Sequence, residues 1–414
     1  MKRLLFIAHK VPYPPDKGER LRAFHEIRAL AGHFRITLAA LAHSRADREA
    51  AGAMRQWCEK VLVAGAGGRL GLIHGAAALL TGKSATEGFF RSRRLRRLLA
   101  AEATREPFDL VMACCSSMLP YAAGVPAPAR VMDLVDVDSA KWLSYAASAR
   151  GPKRWLYRTE ARRVARLERR AVHTCRAVLL VSEDEVRALQ ADSPPGVVMA
   201  LPNGVDMDYF SPARVPQPVL PGRAAPSVAF TGTMDYRPNV EAVCWFVREV
   251  WPQLRRRAPE LTFLVVGRDP VRRVRRLAAS PGVTVTGSVP DVRPYLAAAT
   301  VVVAPLHIAR GIQNKVLEAM AMGRAVVASS AALEGIEASC GQEVLRADSP
   351  EQWTRQIRLL LAEPEQRRRI ELAARRAVED RYSWPARMAP LVSLCLRLAG
   401  SPDPAGAAGS LPAP

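Results

Sequence analysis

Short β-branched runs alternate along this chain with longer stretches rich in Ala, Leu and Arg. In the first half, these runs lie at residues 3–8, 35–40, 60–64, 109–114, 130–134, 178–181 and 197–201. They are almost continuously apolar, as expected for strands buried on both faces of a sheet. Strands separated by helical segments favour parallel sheets with crossover helices. The sequence therefore predicts an α/β fold.

A second series of apolar runs lies at residues 227–231, 262–266, 283–286, 301–304, 325–328 and 344–345. Six strands in regular succession predict a Rossmann-like domain. The Pro-rich stretch 211–226 has the composition of a linker between the two series. We predict an N-terminal domain over 1–202, a C-terminal domain over 203–384, a last helix over 385–399 returning to the first domain, and a disordered tail over 400–414.

The chain is strongly basic, with 60 Lys and Arg residues against 39 Asp and Glu, which gives a net charge of +21. Two helical stretches, 91–105 and 153–176, concentrate that charge among interleaved apolar residues. They are either solvated faces of core-packed helices or surfaces that contact anionic lipid headgroups. A nucleic-acid-binding protein is the other basic class. An aromatic content of 6% and the lack of a nucleic-acid-binding motif argue against it.

No segment of the sequence has the pattern of a targeting or membrane-spanning element. The N-terminal apolar stretch, 4–8, is too short for a signal peptide and fits a buried first strand. The apolar segment 70–80 falls short of the roughly 20 residues that a membrane span needs. We therefore expect a cytoplasmic protein. The seven cysteines include no Cys-x-x-Cys pair, which predicts buried free thiols in a reducing compartment.

Two segments combine glycine with a predicted helix start, the arrangement that binds phosphate groups. The Gly-rich run 65–71 fails the Gly-x-Gly-x-x-Gly spacing because Leu70 stands at the last glycine position, which favours a flexible β–α turn. In the other, Arg310 and Gly311 precede a predicted helix over 312–322, and Lys315 lies in its first turn. Cations there oppose the helix dipole, so an anionic ligand such as a diphosphate would explain them.

Three carboxylates, Asp133, Asp136 and Asp138, follow a predicted strand at the end where α/β sheets bind ligands. Asp136 or Asp138 could orient or deprotonate an acceptor hydroxyl. The alternatives are helix N-capping by Asp138 or Ser139, or a pair of metal ligands. His9 ends the first predicted strand, and we expect it to point toward the same cleft as Gly18.

Five motifs, in order, resemble those of the retaining GT-B glycosyltransferases of family 4. The strongest is the run from Lys315 to Gly323, KVLEAMAMG, which resembles the family signature LEAMAxG. The others are PYPPDKG at 12–18, LPNGVD at 201–206, FTGTM at 230–234 and GSVPD at 287–291. The segments KVPYPPDKGERLR, DLVDVDSAKW and ARGIQNKVLEAMAMG more narrowly resemble sugar transferases associated with bacterial exopolysaccharide and PEP-CTERM sorting systems.

The resemblance implies a GT-B fold, in which two Rossmann-like domains with parallel sheets face each other across a cleft. It implies that Glu318 binds the donor ribose, while Arg310 stands where the family usually has a Glu that contacts the donor sugar. The family's Arg and Lys after the first glycine of the second domain are also missing here. The implied donor-binding residues are Gly232, Thr233, Val289, Arg310, Gly311, Lys315 and Glu318. Gly18 and Lys17 are implied on the acceptor side.

The implied reaction is transfer of a sugar, with retention, from a nucleotide diphosphate-sugar to a lipid-linked or polysaccharide acceptor. We expect Asp136, Asp138 and His9 to be the catalytic candidates. No cofactor or metal ion is expected, since positive side chains can stabilise the leaving group. An enzyme of this kind would work at the inner face of the cytoplasmic membrane. A nucleotide-sugar epimerase on the same fold and a basic nucleic-acid-binding protein are the alternatives.

Overall fold

The computed structural model describes residues 1–15, 18–190, 197–215, 226–309 and 312–400. Lys17, Arg310, Gly311, most of the predicted linker and the predicted tail beyond Gly400 lie outside the described residues. The chain separates into two compact units. The first contains Met1–Pro202 together with Met388–Pro414, and the second contains Asn203–Arg387.

The first unit is built on a parallel sheet whose described strands run in the order β3-β2-β1-β4-β5-β6-β7. They are β1 (Lys2–Ala8), β2 (Phe34–Ala42), β3 (Lys60–Gly65), β4 (Leu110–Cys114), β5 (Ala129–Val135), β6 (Ala177–Leu180) and β7 (Val198–Ala200). Leu4 of β1 pairs with Ile36 of β2 on one side and with Leu110 of β4 on the other. The strand order therefore reverses between β1 and β4, the kind of point at which such sheets bind ligands.

The second unit repeats this arrangement with described strands in the order β10-β9-β8-β11-β12-β13. They are β8 (Ser227–Thr231), β9 (Thr262–Val266), β10 (Val283–Gly287), β11 (Val301–Ala304), β12 (Ala325–Ala328) and β13 (Leu345–Arg346). The order reverses between β8 and β11, where Val301 pairs with Val228. All thirteen predicted strands are present, with ends that differ by at most two residues, and the predicted α/β class with parallel sheets is confirmed.

Helices connect successive strands in both units. In the first unit they are α1 (Gly18–Leu30), α2 (Arg45–Ala50), α3 (Gly68–Leu80), α4 (Ala85–Phe89), α5 (Arg93–Arg105), α6 (Leu119–Ala122), α7 (Asp138–Ser148), α8 (Gly151–Thr174) and α9 (Glu183–Gln190). In the second they are α10 (Arg237–Trp245), α11 (Trp251–Arg257), α12 (Arg272–Arg275), α13 (Arg293–Ala298), α14 (Asn314–Ala321), α15 (Ser330–Leu333), α16 (Pro350–Ala362) and α17 (Pro364–Arg381). The last helix is α18 (Trp384–Gly400), and its residues from Met388 onward belong to the first unit.

Burial follows the sequence pattern that predicted these elements. Six of the seven residues of β1 are buried, as are all residues of β4, β8 and β11, because helices cover both faces of each sheet. In α5, Leu95 and Leu99 are buried while the arginines stay exposed. Among the described residues, every helix is too short or too polar to span a lipid bilayer.

The cysteine prediction is only partly right. Five of the seven thiols are buried, but Cys115 is half-buried and Cys340 is exposed. Cys340 lies in an irregular segment before β13, outside the apolar strand pattern on which the prediction depended. Cys115 directly follows β4, where the backbone turns to a positive φ of 73°. These two thiols therefore contact solvent where the other five are packed in the core.

Candidate functional site

A pocket of about 560 Å³ opens at the carboxyl ends of β8 and β9 in the second unit. Of the predicted donor-binding residues, it is lined by Gly232, Thr233, Val289, Lys315 and Glu318. They come from three separate places in the sequence: the turn after β8, the loop after β10 and the N-terminal half of α14. Arg310 and Gly311, the other two, lie outside the described residues.

Two glycines allow the backbone turns to approach each other at the floor of this pocket. A Cβ atom on Gly232 would lie 2.7 Å from Nδ2 of Asn239, and one on Gly267 would lie 1.7 Å from the carbonyl oxygen of Gly232. Neither distance is possible for a real side chain. A side chain at Gly267 would therefore push the two turns apart, and one at Gly232 would displace the Asn239 amide, so either would change the walls of the pocket.

Lys315 is held in place by contacts with both the turn and the strand. Its Nζ donates a hydrogen bond to Oδ1 of Asn239 at 2.5 Å and lies 4.4 Å from the centroid of the Phe230 ring. The amide Nδ2 of Asn239 in turn donates to the carbonyl oxygen of Thr233 at 2.9 Å. Burial lowers the pKa of Lys315 to about 8, although the nearby Glu318 carboxylate acts in the opposite direction.

Glu318 lies one helical turn beyond Lys315 and also lines the pocket. Burial raises the pKa of its carboxyl to about 7, and the ammonium of Lys315 opposes that shift. The helix that carries both residues begins after Gln313, whose side chain does not cap it. The Val316 amide donates to the carbonyl oxygen of Gln313 at 2.9 Å, which leaves the amides of Asn314 and Lys315 for an anionic ligand, with the Lys315 cation beside them.

The loop after β10 forms the opposite wall of the pocket, together with Tyr209. The guanidinium of Arg293 lies 3.9 Å from the centroid of the Tyr209 ring and forms an ion pair of 2.6 Å with Asp291. Hydrogen bonds from Arg293 lower the pKa of Asp291, although its partial burial acts to raise it. This arrangement holds the Tyr209 ring in place, and Tyr209 and Val289 both line the pocket with apolar surface of the kind that a planar base can contact.

Sequence reasoning missed several residues of this pocket, namely Tyr209, Asn239, Gly267 and Arg268. Arg268 follows Gly267 at the end of β9, so the strand pattern could have indicated it as a second cation. The sequence contains no comparable signal for Asn239, whose partner Lys315 is 76 residues away.

In the first unit, Asp136 and Asp138 share the cation of Lys141. Its Nζ lies 2.6 Å from Oδ2 of Asp136 and 3.4 Å from Oδ1 of Asp138. Burial raises the pKa of Asp138, while the charges of Lys141 and His9 act to lower it. Val135, immediately before this group, has a φ of 68°, a strained conformation for a β-branched residue. The strain turns the chain out of β5 just before the two carboxylates.

Asp133 belongs to a separate, buried group. Its two carboxylate oxygens accept hydrogen bonds of 2.7 and 2.9 Å from Arg22, which also donates to the carbonyl oxygen of Leu201 at 2.6 Å. The Glu26 carboxylate lies 3.4 Å from Nε of Arg22, and burial raises its pKa. The fully buried pair of Arg22 and Asp133 joins α1 to β5. The structure thus separates Asp133 from Asp136 and Asp138.

The N-capping alternative for Asp138 and Ser139 is wrong. Helix α7 begins at Asp138 itself, and the N-cap position is Val137, which has no side-chain hydrogen bond. The buried carboxylate of Glu168, on α8, accepts hydrogen bonds from the Ser139 amide at 3.0 Å and from its hydroxyl at 2.5 Å. A residue 29 positions away therefore provides the capping that the local sequence does not.

His9 is buried at the end of β1, and its Nε2 lies 3.9 Å from Sγ of Cys115. His9, Cys114 and Cys115 are close enough together to hold a metal ion, as are Glu26, Cys114 and Asp133. In the second group, Arg22 already engages both oxygens of Asp133. Gly18 begins α1, and Lys17 lies outside the described residues. The expected independence of metal ions stays a prediction.

Two parallel sheets, each with one point at which the strand order reverses, are the architecture of the GT-B fold. Comparison with solved structures agrees with this fold. The chain is similar to sucrose-phosphate synthase from Thermosynechococcus elongatus, with a TM-score of 0.62 and 17% identity over 96% of this chain and 99% of that one. It is similar to Anabaena HepE in complex with UDP, with a TM-score of 0.59 and 17% identity over 95% and 100%. It is also similar to WaaG, a glycosyltransferase involved in lipopolysaccharide biosynthesis, with a TM-score of 0.56 and 17% identity over 94% of this chain and 99% of that one.

Residues 225–363 match the family model described as Glycosyl transferases group 1. The matched segment covers β8 to α16 and includes Gly232, Lys315 and Glu318. The second unit therefore contains a group 1 glycosyltransferase domain, and the predicted enzyme class, a transferase, is confirmed. No curated protein matches it.

Proposed function

We propose that this glycosyltransferase moves a sugar, with retention of configuration, from a nucleotide diphosphate-sugar to a lipid-linked glycan acceptor in exopolysaccharide biosynthesis. The observation that carries the proposal is the pairing of Lys315 and Glu318, one turn apart on α14, in a pocket with the Gly232 and Gly267 turns. The cation and helix amides suit a diphosphate, and the carboxylate suits the two hydroxyls of a ribose.

Uridine is the base that we propose for the donor. Anabaena HepE has been solved with UDP, with UDP and glucose, and with UDP-glucose. In the present chain, Tyr209 and Val289 provide the apolar wall for such a base. We assign Arg310 and Gly311 to the diphosphate as well. Arg310 stands where family 4 enzymes usually have a Glu, so it is also the position at which we expect the donor sugar to differ.

The proposed chemistry depends mainly on stabilising the leaving group. Lys315 and the amides of α14 would balance the charge that develops on the diphosphate as the bond to the sugar breaks. Asp136 and Asp138 would orient the acceptor hydroxyl, with Lys141 holding both carboxylates in position. His9 lies near enough to Asp138 to act to lower the pKa of that carboxyl. No step in this scheme requires a metal ion.

A thermal-shift screen against UDP, GDP and their sugars tests the donor assignment. A ligand at about 100 times its Kd stabilises a protein by about 2.7 kcal/mol, which gives a readily measured shift in Tm. We expect UDP and UDP-glucose to stabilise the wild-type chain and to have little effect on Lys315→Gln. Arg346→Gln, which removes an exposed cation outside the pocket, is the matched control. Equal stabilisation of both variants would exclude this diphosphate site.

Transfer itself is tested by incubating the labelled donor with a membrane extract containing lipid-linked glycans, with and without EDTA. We expect label in the lipid fraction under both conditions, and an anomeric configuration that matches the donor by NMR. Donor that is consumed only by hydrolysis or epimerisation, with no label transferred, would favour the epimerase alternative and overturn the proposal.

A further inference from the structure

A second cavity, of about 760 Å³, lies entirely within the first unit, at the carboxyl ends of β2 and β3. Four arginines and two histidines contribute to its lining: Arg45, Arg48, Arg91, Arg93, His43 and His74. The proposed catalytic residues His9, Asp136 and Asp138 are not among its lining residues. None of the roles assigned so far involves this strongly cationic cavity.

Three of these arginines keep their charge available. Across the part of the chain that the structure describes, Arg48, Arg91 and Arg93 have no carboxylate within ion-pair distance, whereas Arg45 pairs with Glu49 at 2.8 Å. Like charges that converge on one cavity repel each other unless an anion lies between them. The electrostatics therefore favour a ligand with more than one negative charge.

The backbone that carries two of these arginines is fixed. Between Arg91 and Arg93, Ser92 is buried, and its amide donates a hydrogen bond of 2.6 Å to the hydroxyl oxygen of Tyr121. That hydroxyl donates to the carbonyl oxygen of Phe90 at 2.8 Å, and the Ser92 side chain caps α5. Arg91 and Arg93 thus extend from an anchored segment, which lowers the conformational entropy lost on binding.

Helix α3 begins at the wall of the cavity. Its N-cap, Gly67, has a φ of 81° and no side chain to cap the first amides. A Cβ atom there would lie 2.5 Å from Nδ1 of His43, so only glycine lets the turn approach that ring. The first-turn amides and the imidazole add donors to the cationic lining. The Gly-rich run, for which the sequence favoured a flexible turn, therefore forms part of a defined cavity.

The outer face of α3 is the unusual part of this region. The helix packs on α4 through its small residues: a Cβ on Gly71 would lie 3.0 Å from the Phe89 ring and one on Gly75 3.1 Å from the Ala85 carbonyl oxygen. Its large aliphatic side chains point outward, with Leu70, Leu72, Ile73 and Leu80 exposed by 62–90%. Exposed apolar surface of this kind, next to cations, fits a lipid. Leu70 lies in the cavity lining and on this face, which makes the two continuous.

We propose that this cavity and the outer face of α3 together bind an isoprenoid diphosphate, the lipid carrier of the glycan acceptor. The diphosphate lies among Arg48, Arg91 and Arg93 at the start of α3, and the hydrocarbon chain lies along the exposed aliphatic side chains. The identification of this lipid as the acceptor rests on the proposed glycosyl transfer. The binding site itself rests on the cavity, its unpaired cations and the adjoining apolar helix.

The test measures binding of farnesyl diphosphate, farnesol and inorganic diphosphate to the full chain by titration calorimetry. We expect farnesyl diphosphate to bind most tightly, because only it has both the charge and the chain. Arg91→Gln combined with Arg93→Gln is expected to weaken it by more than about tenfold, since bonds to charged groups are the strong ones. The variant that combines Leu72→Ser with Ile73→Ser is expected to bind farnesyl diphosphate no more tightly than inorganic diphosphate.

Lys315→Gln is the matched variant, because inorganic and farnesyl diphosphate could also enter the donor pocket. This variant is expected to lose binding of UDP and to keep binding of farnesyl diphosphate. The double Arg variant is expected to keep binding of UDP and to bind farnesyl diphosphate weakly. Farnesyl diphosphate affinity within about twofold of wild type in the double Arg variant would overturn the proposal. The proposal would also be overturned if the double Arg variant lost binding to phosphatidylglycerol vesicles but kept its affinity for farnesyl diphosphate. That result would assign the cavity to membrane headgroups. A wild-type chain that binds no nucleotide, yet binds farnesyl diphosphate through these arginines, would refute only the proposed glycosyl transfer.

Discussion

Lys315 and Glu318 carry two opposite charges in the proposed donor pocket, and burial shifts each of them toward its neutral form. The pKa of Glu318 is raised to about 7 and that of Lys315 is lowered to about 8. Because the two values approach each other, both groups are charged only in a narrow interval near neutral pH. A ligand that needs an ammonium for its diphosphate and a carboxylate for its ribose is then bound best in that interval.

We therefore expect the affinity for UDP-glucose to be highest between about pH 7 and pH 8. Below this interval Glu318 gains a proton and no longer accepts ribose hydroxyls as a carboxylate, and above it Lys315 loses its charge. Titration calorimetry over a pH series checks this. UDP-glucose is preferable to UDP because its diphosphate is esterified at both ends and does not gain a proton near neutral pH.

The two limbs of that profile can be assigned with variants. Glu318→Gln should remove the acidic limb and leave the basic one, while Lys315→Gln should remove the basic limb along with most of the affinity. A wild-type affinity that does not change across both pKa values would contradict the assigned roles.

The same carboxyl group affects stability in the absence of ligand. The folded pKa of Glu318 lies above its ordinary value of 4.5, so the folded state holds a proton that the unfolded state releases. Its contribution to the free energy of unfolding is fully present below about pH 4.5 and is lost as the pH rises through about 7. In urea unfolding, Glu318→Gln should therefore show a smaller loss of stability over this range than the wild-type chain. An identical loss in both would contradict this role for Glu318.

At the scale of elements, helix α7 depends on a residue of another helix for its first turn. The carboxylate of Glu168, on α8, accepts hydrogen bonds from both the amide and the hydroxyl of Ser139, while Val137 provides no cap. Burial raises the pKa of Glu168, and the bonds from Ser139 oppose that shift. Since α7 also carries Asp138 and Lys141, the position of these two side chains depends on the contact with α8.

Glu168→Ala should lower the free energy of unfolding by about 1–3 kcal/mol, because it leaves buried amides at the start of α7 without an acceptor. Ser139→Ala is the matched control, since it removes the hydroxyl bond and keeps the amide bond; its cost should be smaller, about 1 kcal/mol. Urea unfolding of both variants provides the measurement. Equal costs for the two would mean that the Ser139 amide contributes nothing to the capping.

These elements also show what the sequence could and could not predict. The strands were predictable because a strand covered by helices on both faces is a continuous apolar run, as in Val301–Ala304. The cap of α7 was not predictable, since local residues suggested Asp138 and the actual acceptor is distant in sequence. Lys315 and Glu318 could be placed from helix spacing. Gly267 could not, because its close contact with Gly232 exists only once two strands are paired.

At the scale of the whole molecule, the net charge of +21 is not spread evenly. The predicted basic segments form α5 and α8; residues such as Leu95 and Val164 are buried in the core, while most of the arginines remain exposed. Near the start of α8, Trp155 is exposed by 70%, and Tyr145 of α7, whose ring lies 6.2 Å from that of Tyr157, is exposed by 57%. Cations combined with exposed aromatic rings are typical of surfaces that bind at the interface of an anionic membrane.

We expect the full chain to float with phosphatidylglycerol vesicles and not with phosphatidylcholine vesicles. Binding should fall as salt is added, because the Debye length shortens from about 10 Å at 0.1 M to about 3 Å at 1 M. Trp155→Ala should weaken it further at every salt concentration. Equal flotation with both kinds of vesicle would contradict the expectation that the exposed cations bind anionic headgroups. Tighter binding to duplex DNA than to anionic vesicles would favour the nucleic-acid alternative.

Each cavity is lined by residues of only one unit: the pocket with Lys315 by the second, and the pocket with Arg91 by the first. A mutation in one lining therefore leaves the chemistry of the other unchanged. In evolutionary terms, the two proposed specificities can diverge separately, because exchange of the segment Asn203–Arg387 would replace one lining and leave the other intact. Chimeric enzymes that exchange this segment, and keep the residues from Met388 onward with the first unit, are thus a natural way to change the sugar while keeping the carrier.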